Sequence, residues 1–237
     1  MSDHRPFRVC ASVLTPVIIS PKAYLTLDAV TLFLMTARGM DFSQAQAALP
    51  LSMDGAVPCA SAAFFDLASA AHVDRVGWKR SVPLREEASE NFTIFGKGRN
   101  STRPVKRPSV DQKRGEYASI LTSYTSLGAQ SVEWYGRGDI DMMRDLFLDL
   151  HAVGKKCRQG FGRIDGVTVE EVEIDLSLAR GEPGKEQPMR PIPFDQWAAS
   201  GRQTGQVFVA NLSSSAPYFM SNPVRCVAPK VRVKTWN

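Results

Sequence analysis

The sequence, 237 residues long, predicts an α+β fold, and three observations carry that expectation. It opens with a β-branched run that gives way to a helical stripe. A second helical stripe runs into a glycine-rich loop and then into alternating apolar and acidic residues. Between the two lies a short segment that holds the excess positive charge. Apolar residues make up 43%, ordinary for a soluble globular protein, and the length suffices for one domain, 1–237, around its own core.

The first run, "FRVCASVLTPVIIS" from Phe7 to Ser20, favours a strand, bent where Pro16 removes a ladder donor. In "LTLDAVTLFLMTARG" the apolar positions Leu27, Val30, Leu34 and Ala37 form a helical stripe, with Thr26 or Asp28 near its start and Gly39 at its end. Residues 40–60 carry too weak a pattern to place, and "ASAAFFDLASAAHVDRVGWKR" fits either a small helix or a pair of strands. Strand-type residues return after the basic segment and end in Val132 to Tyr135.

The clearest helix follows, with Ile140, Met143, Leu146, Phe147 and Leu150 on one face. Asp139 stands as its N-cap, Asp141 near the positive end of its dipole and Gly154 as a left-handed C-cap. Beyond the glycine loop, Val167, Val169, Val172, Ile174, Leu176 and Leu178 recur at period two, which predicts a strand. The tail is punctuated by Pro183, Pro188, Pro191 and Pro193, then by a short strand "QVFVANL".

The net charge is +5, but residues 96–114 alone carry +6, from Lys97, Arg99, Arg103, Lys106, Arg107, Lys113 and Arg114 against Asp111; the remainder is close to neutral at −1. Such a run, within an insertion at about 90–116, fits an anionic partner or a solvated, disordered loop. Four separated cysteines, Cys10, Cys59, Cys157 and Cys226, and three histidines suggest neither a zinc site nor a disulfide framework, as in a reducing compartment. No cofactor or metal is expected. No apolar run is long enough for a bilayer, and the opening residues lead into a strand rather than a signal-peptide core, so a cytoplasmic location is expected.

The loop "GKKCRQGFGR", Gly154 to Arg163, combines backbone freedom, four cations and an aromatic ring. It is neither a Walker loop nor a dinucleotide fingerprint, since it closes a helix before a strand. Glycine lets a phosphate backbone approach, Lys155, Lys156 and Arg158 can neutralise phosphates, and Phe161 can stack on a base. The same residues also suit a turn in which Phe161 belongs to the core. No histidine pair, nucleophile elbow or two-metal carboxylate cluster appears, so no residue is assigned a catalytic role. His151 beside the loop could serve as a general base, or simply stabilise a helix end.

The segment "VEWYGRGDIDMMRDLFLDLHAVGKKCRQGFGRI", with the opening "LTPVIISPKAYLTLDAVTLFLM", resembles the repeat-associated mysterious protein superfamily of CRISPR systems. It looks most like the third subunit of type IV effector complexes, which binds the guide-RNA handle. The resemblance implies a ferredoxin-like, RNA-recognition-type antiparallel sheet with helices on one face, and a thumb-like loop mapping onto the basic segment. It implies that Gly160, Phe161 and Gly162 contact guide RNA while Lys155, Lys156 and Arg158 hold phosphates, in an RNA-binding loop that runs from Gly154 to Arg163. The implied partners are guide RNA, target DNA, the backbone and large subunits and an accessory helicase. The alternative is a metal-independent endoribonuclease that matures the guide precursor, with His151, Tyr117 or Tyr124 as base.

Overall fold

A computed structural model of the chain describes residues 4–19, 24–67, 73–80, 120–202, 205, 207–216, 218 and 222–230. The protein is mixed α+β, and its strand pairings are antiparallel. In chain order the elements are β1 (Arg5–Val13), β2 (Val17–Ile19), α1 (Leu27–Ala37), α2 (Phe42–Ala47), β3 (Met53–Asp54), β4 (Val57–Pro58), β5 (Phe64–Leu67), β6 (Val73–Arg80) and β7 (Ile120–Leu127). They continue with β8 (Ala129–Gly138), α3 (Ile140–Phe147), β9 (Ile164–Glu171), β10 (Ala179–Arg180), β11 (Gln187–Pro188), β12 (Ile192–Pro193), α4 (Phe194–Ala199), β13 (Phe208–Leu212) and β14 (Val224–Ala228). The chain divides into two compact units, Met1–Asp74 with Thr125–Asn237, and Arg75–Tyr124.

The first unit is built on a four-stranded sheet in the order β5-β8-β1-β9. With α1 between β1 and β5, and α3 between β8 and β9, this order is consistent with a ferredoxin-like core. Period two along β1 puts Phe7, Val9 and Ala11 on one face, with Val9 opposite both Trp134 and Val169, and Ala11 opposite Val132 and Val167. Leu27, Val30 and Leu34 of α1 and Ile140, Met143, Leu146 and Phe147 of α3 close over that face as the main core. Trp134 meets Phe147 edge-on at 6.5 Å between ring centroids, and its indole N–H donates to Leu25 O. The opposite face is covered in part, where Phe64 and Tyr135 pack with Met189. In the second unit the described residues belong to β6 and β7, neighbours in one sheet.

The expected bend at Pro16 is a break: β1 joins the four-stranded sheet, while β2 pairs with β7 through Val17↔Leu127 and Ile19↔Thr125. Residues 40–60 form α2, with a capping box between Asp41 and Gln44, and the hairpin β3–β4. Of the ambiguous stretch from Ala60 to Arg80, Phe64–Leu67 and Val73–Arg80 are strands, β5 and β6, which belong to different sheets, and residues 68–72 lie outside the described residues.

Two expectations require correction. The helix ends at Phe147, so Gly154 is not its C-cap; three-residue turn bonds, Asp149 N to Leu146 O and Leu150 N to Phe147 O, lead the chain out. The strand expected to reach Leu178 stops at Glu171, because β1 begins at Arg5 and Val172 N makes its last bond, to Pro6 O. Past that point the alternation has no ladder, and Ile174 is 68% exposed.

A charged hub sits inside the first unit. Asp28, in the first turn of α1, and Arg190 are both fully buried. The Arg190 guanidinium donates to Asp28, to the carbonyls of Pro58, Ala60, Pro191 and Ser214, and to the Tyr218 hydroxyl. Tyr218 in turn donates to Asp28 at 2.8 Å and accepts from Thr26. Thus Thr26 and Asp28, which the sequence places at a helix start, serve the hub; Thr26 makes no side-chain cap. Each arginine donor group has an acceptor, which a buried guanidinium requires. Burial lowers the Arg190 pKa, but Asp28 and then Tyr218 together outweigh it and leave it raised.

Removing one partner of such a pair strands the other. Arg190→Met should therefore lower the unfolding free energy by about 3–5 kcal/mol in denaturant melts, and adding Asp28→Leu should recover part of that loss.

Burial, then the Asp28 charge, pushes the Tyr218 hydroxyl well above the ordinary tyrosine range. The folded protein therefore keeps a proton that the unfolded chain releases near pH 10. Fewer protons bound in the unfolded state means that stability falls as pH rises from there, by up to about 1.4 kcal/mol per pH unit. Thermal melts of the wild type should show this component, and Tyr218→Phe, less stable at neutral pH, should lack it.

Candidate nucleic-acid interface

The glycine loop is held by main-chain bonds to the break in the first strand. Leu14 N donates to Arg163 O, Gly162 N to Pro16 O and Lys155 N to Ile18 O, each within 2.9 Å. The Thr15 hydroxyl donates to Gly160 O and accepts from Arg163 N. At its base Ala152 bridges to Arg163, and Val153 N donates to Gly162 O. Inside the loop, Cys157–Gln159 make one 3₁₀ turn flanked by Lys156 and Gly160, both left-handed.

The three glycines differ in what surrounds them. At Gly154, with φ +89°, an added Cβ would stand 2.6 Å from Ile18 O, so this glycine lets the loop lie against β2. Gly162 is tighter still, 1.9 Å from Val153 O at φ +63°. Gly160, at φ +89°, faces open space with nothing within 4 Å. Of the three, Gly160 alone has open space where a side chain would stand, while Gly154 and Gly162 permit close packing of backbone.

Among the charged residues, Lys155, Arg158 and Arg163 are exposed and Lys156 is half-buried. Four cations and no acid fall between Gly154 and Arg163. Phe161 is half-buried, neither a core residue nor a fully presented stacking face. Thr15 escaped the sequence reading: its hydroxyl ties both ends of the turn, and a threonine before a proline at a strand end is the signal that could have marked it. The insertion at about 90–116, with Lys97, Arg99, Arg103, Lys106, Arg107, Lys113 and Arg114, and Tyr117 beyond it, lies outside the described residues.

His151 lies beyond the helix end, exposed, with its carbonyl accepting from Ile164 N. Tyr124 lies on β7, half-buried. Burial pushes the Cys157 thiol up, and its S–H donates to Gly154 O, so it is held as a neutral thiol. The second face of the sheet carries Glu133, which accepts from Tyr135, and Glu170, paired with Arg8 at 2.8 Å. That face thus has an acidic component, and the concentration of described cations lies at the loop. Among the described residues, no group of three His, Cys, Asp or Glu could hold a metal, and no helix is long and apolar enough to cross a membrane.

An antiparallel α+β protein that presents a cation-rich glycine loop on a strand break is the class these observations define. Residues 5–178 match the model of the family "CRISPR type IV associated protein Csf3", and the chain belongs to that family. No curated protein matches it. The resemblance noted in the sequence is thereby borne out.

Gly160 faces solvent, but its φ of +89° strains any L side chain. Gly160→Ala should cost about 1–2 kcal/mol in denaturant melts. Gly162→Ala should cost clearly more, because it adds a backbone collision to the same strain.

Proposed function

We propose that this chain is a non-catalytic RNA-binding subunit of a type IV CRISPR ribonucleoprotein, which caps and orients the 5′ handle of the guide RNA. The observation that carries this reading is the loop Gly154–Arg163: four cations without an acid, fixed on the sheet by backbone bonds, with Gly160 open to an approaching strand. Lys155, Lys156, Arg158 and Arg163 hold phosphates, and Gly160 with Phe161 forms the surface against which the RNA backbone lies; Gly162, expected to share that contact, is buried against Val153 and shapes the turn beneath it. Family membership supports a place in a CRISPR assembly, with the repeated backbone subunit and the large subunit as neighbours.

The strand order β5-β8-β1-β9 of the first unit supports a ferredoxin-like core; on the proposed reading the whole chain, 1–237, serves as one functional domain around it. The basic insertion at about 90–116 serves as a thumb, its cations Lys97 to Arg114 meeting guide RNA or target DNA. An accessory helicase acts with the complex, which works in the cytoplasm without a cofactor.

Incubating the purified chain with labelled repeat RNA in EDTA tests the reading directly. Stoichiometric binding without cleavage is expected; a discrete cut abolished by His151→Ala would replace it with the endoribonuclease reading. Replacing Lys155, Lys156 and Arg158 with alanine should weaken binding, and should flatten the dependence of log affinity on log salt by about 0.7 for each phosphate left without its cation.

A further inference from the structure

Beside the glycine loop, between α1 and the chain leaving α3, runs an apolar groove of about 490 Å³, in the range of small-ligand sites. Ala29, Phe33 and Ala37 line its α1 side, and Leu150, Val153 and Cys157 the other. Phe33 is 65% exposed at its edge. Gly154 and Cys157 belong both to the groove and to the loop, so groove and loop form one continuous surface.

We propose that this groove receives an unstacked base of the guide RNA, stacked on Phe33, while the adjoining loop holds the neighbouring phosphates. The inference rests on the proposed RNA-binding role of the loop and names what enters beside it.

Charge favours a nucleic acid as the occupant. The loop brings four cations and no acid to one end of the groove. Asp149, which lines the groove, is engaged by Arg38 at 2.6 Å, and Arg38 also pairs with Asp145. The carboxylate that lines the groove is thus bonded to a guanidinium, which it shares with Asp145. Shape agrees with this: a base presents an apolar face to the groove and keeps its polar edge toward the open mouth, where exposed His151 stands. Stacking of this kind tolerates any base, so the groove would select an unpaired nucleotide rather than a sequence.

The test uses the full chain and single-stranded repeat RNA carrying 2-aminopurine at successive positions. Wild type should change the fluorescence of one or two positions on binding. Phe33→Ala should abolish that change and weaken affinity about tenfold at every salt concentration, without altering the salt slope. Ala37→Trp, which fills the groove from the exposed end of α1, should do the same. The alanine triple variant at Lys155, Lys156 and Arg158 should flatten the slope yet keep the position-specific signal at saturation.

If the two groove variants bind with wild-type affinity and signal while the triple variant loses affinity, the groove holds no base and only the loop reading survives. If the triple variant also binds as wild type, both readings fall. Phe33 is exposed, so its truncation should leave the melting temperature unchanged, and it decides the matter even where Ala37→Trp fails to fold.

Discussion

The candidate interface depends on a break in one strand. Between Val13 and Val17 the chain leaves one sheet for another, and the three residues that make the transition offer polar groups no ladder uses. Leu14 N, the Thr15 hydroxyl and Pro16 O are taken up by the glycine loop, which thereby becomes the substitute partner where the ladder stops. Pro16 is the residue that makes this consistent, since it brings an acceptor but no N–H to the point where the chain turns. The loop's conformation follows: to reach Pro16 O and Ile18 O, its backbone must pass within a Cβ's reach of Val153 O and Ile18 O, and only glycine at 162 and 154 allows that. The loop is in this sense the far half of a joint whose near half is the first strand.

The hub around Arg190 solves a different problem. It joins the first turn of α1 to residues beyond 178, where the family match ends, so the C-terminal segment is anchored to the core of the matched region. A buried guanidinium is a costly anchor compared with an apolar contact of equal volume. What it adds is direction. Its donors fix Pro58, Ala60, Ser214 and Tyr218 at set angles around α1, whereas apolar side chains could slide. We regard the hub as a register pin for the tail, a role that its full set of acceptors and its place at a helix start both support.

Much of the fold was legible because its two strand–helix halves carry strong periodicity. Val30 and Leu34, then Ile140, Met143 and Phe147, all face the core as their spacing implies. Failures arose where a pattern outlasted its cause. Leu150 continues the helical stripe and is buried, yet the helix has ended; Ile174 continues the strand alternation and is exposed, because β1 supplies no further partner. Pattern records which side chains can be buried, while the length of an element is set by the neighbour it pairs with. Asp28 shows the converse: an acid in a first turn reads as a dipole complement, and nothing local indicates that an arginine 162 residues away will bury it. Of the site, the cations and glycines were readable from composition. The distinct roles of Gly154, Gly160 and Gly162 were not, since each depends on what lies opposite the missing Cβ.

This distribution of rigidity bears on how the proposed interface would work. Ordering a free loop on a nucleic acid costs about 1–2 kcal/mol of backbone entropy for each residue fixed. Here the bonds to Leu14, Thr15, Pro16 and Ile18 have fixed the loop during folding, so that cost does not fall on binding. The cations gain by the same route, because their backbone origins stand on a fixed frame while only their long side chains remain to be arranged. A loop held this way suits a partner that must be gripped in one register, such as the end of an RNA, better than one that slides. Electrostatic attraction alone would favour many registers equally; a frame with an open Gly160 between closed Gly154 and Gly162 favours the one in which the strand crosses at that opening.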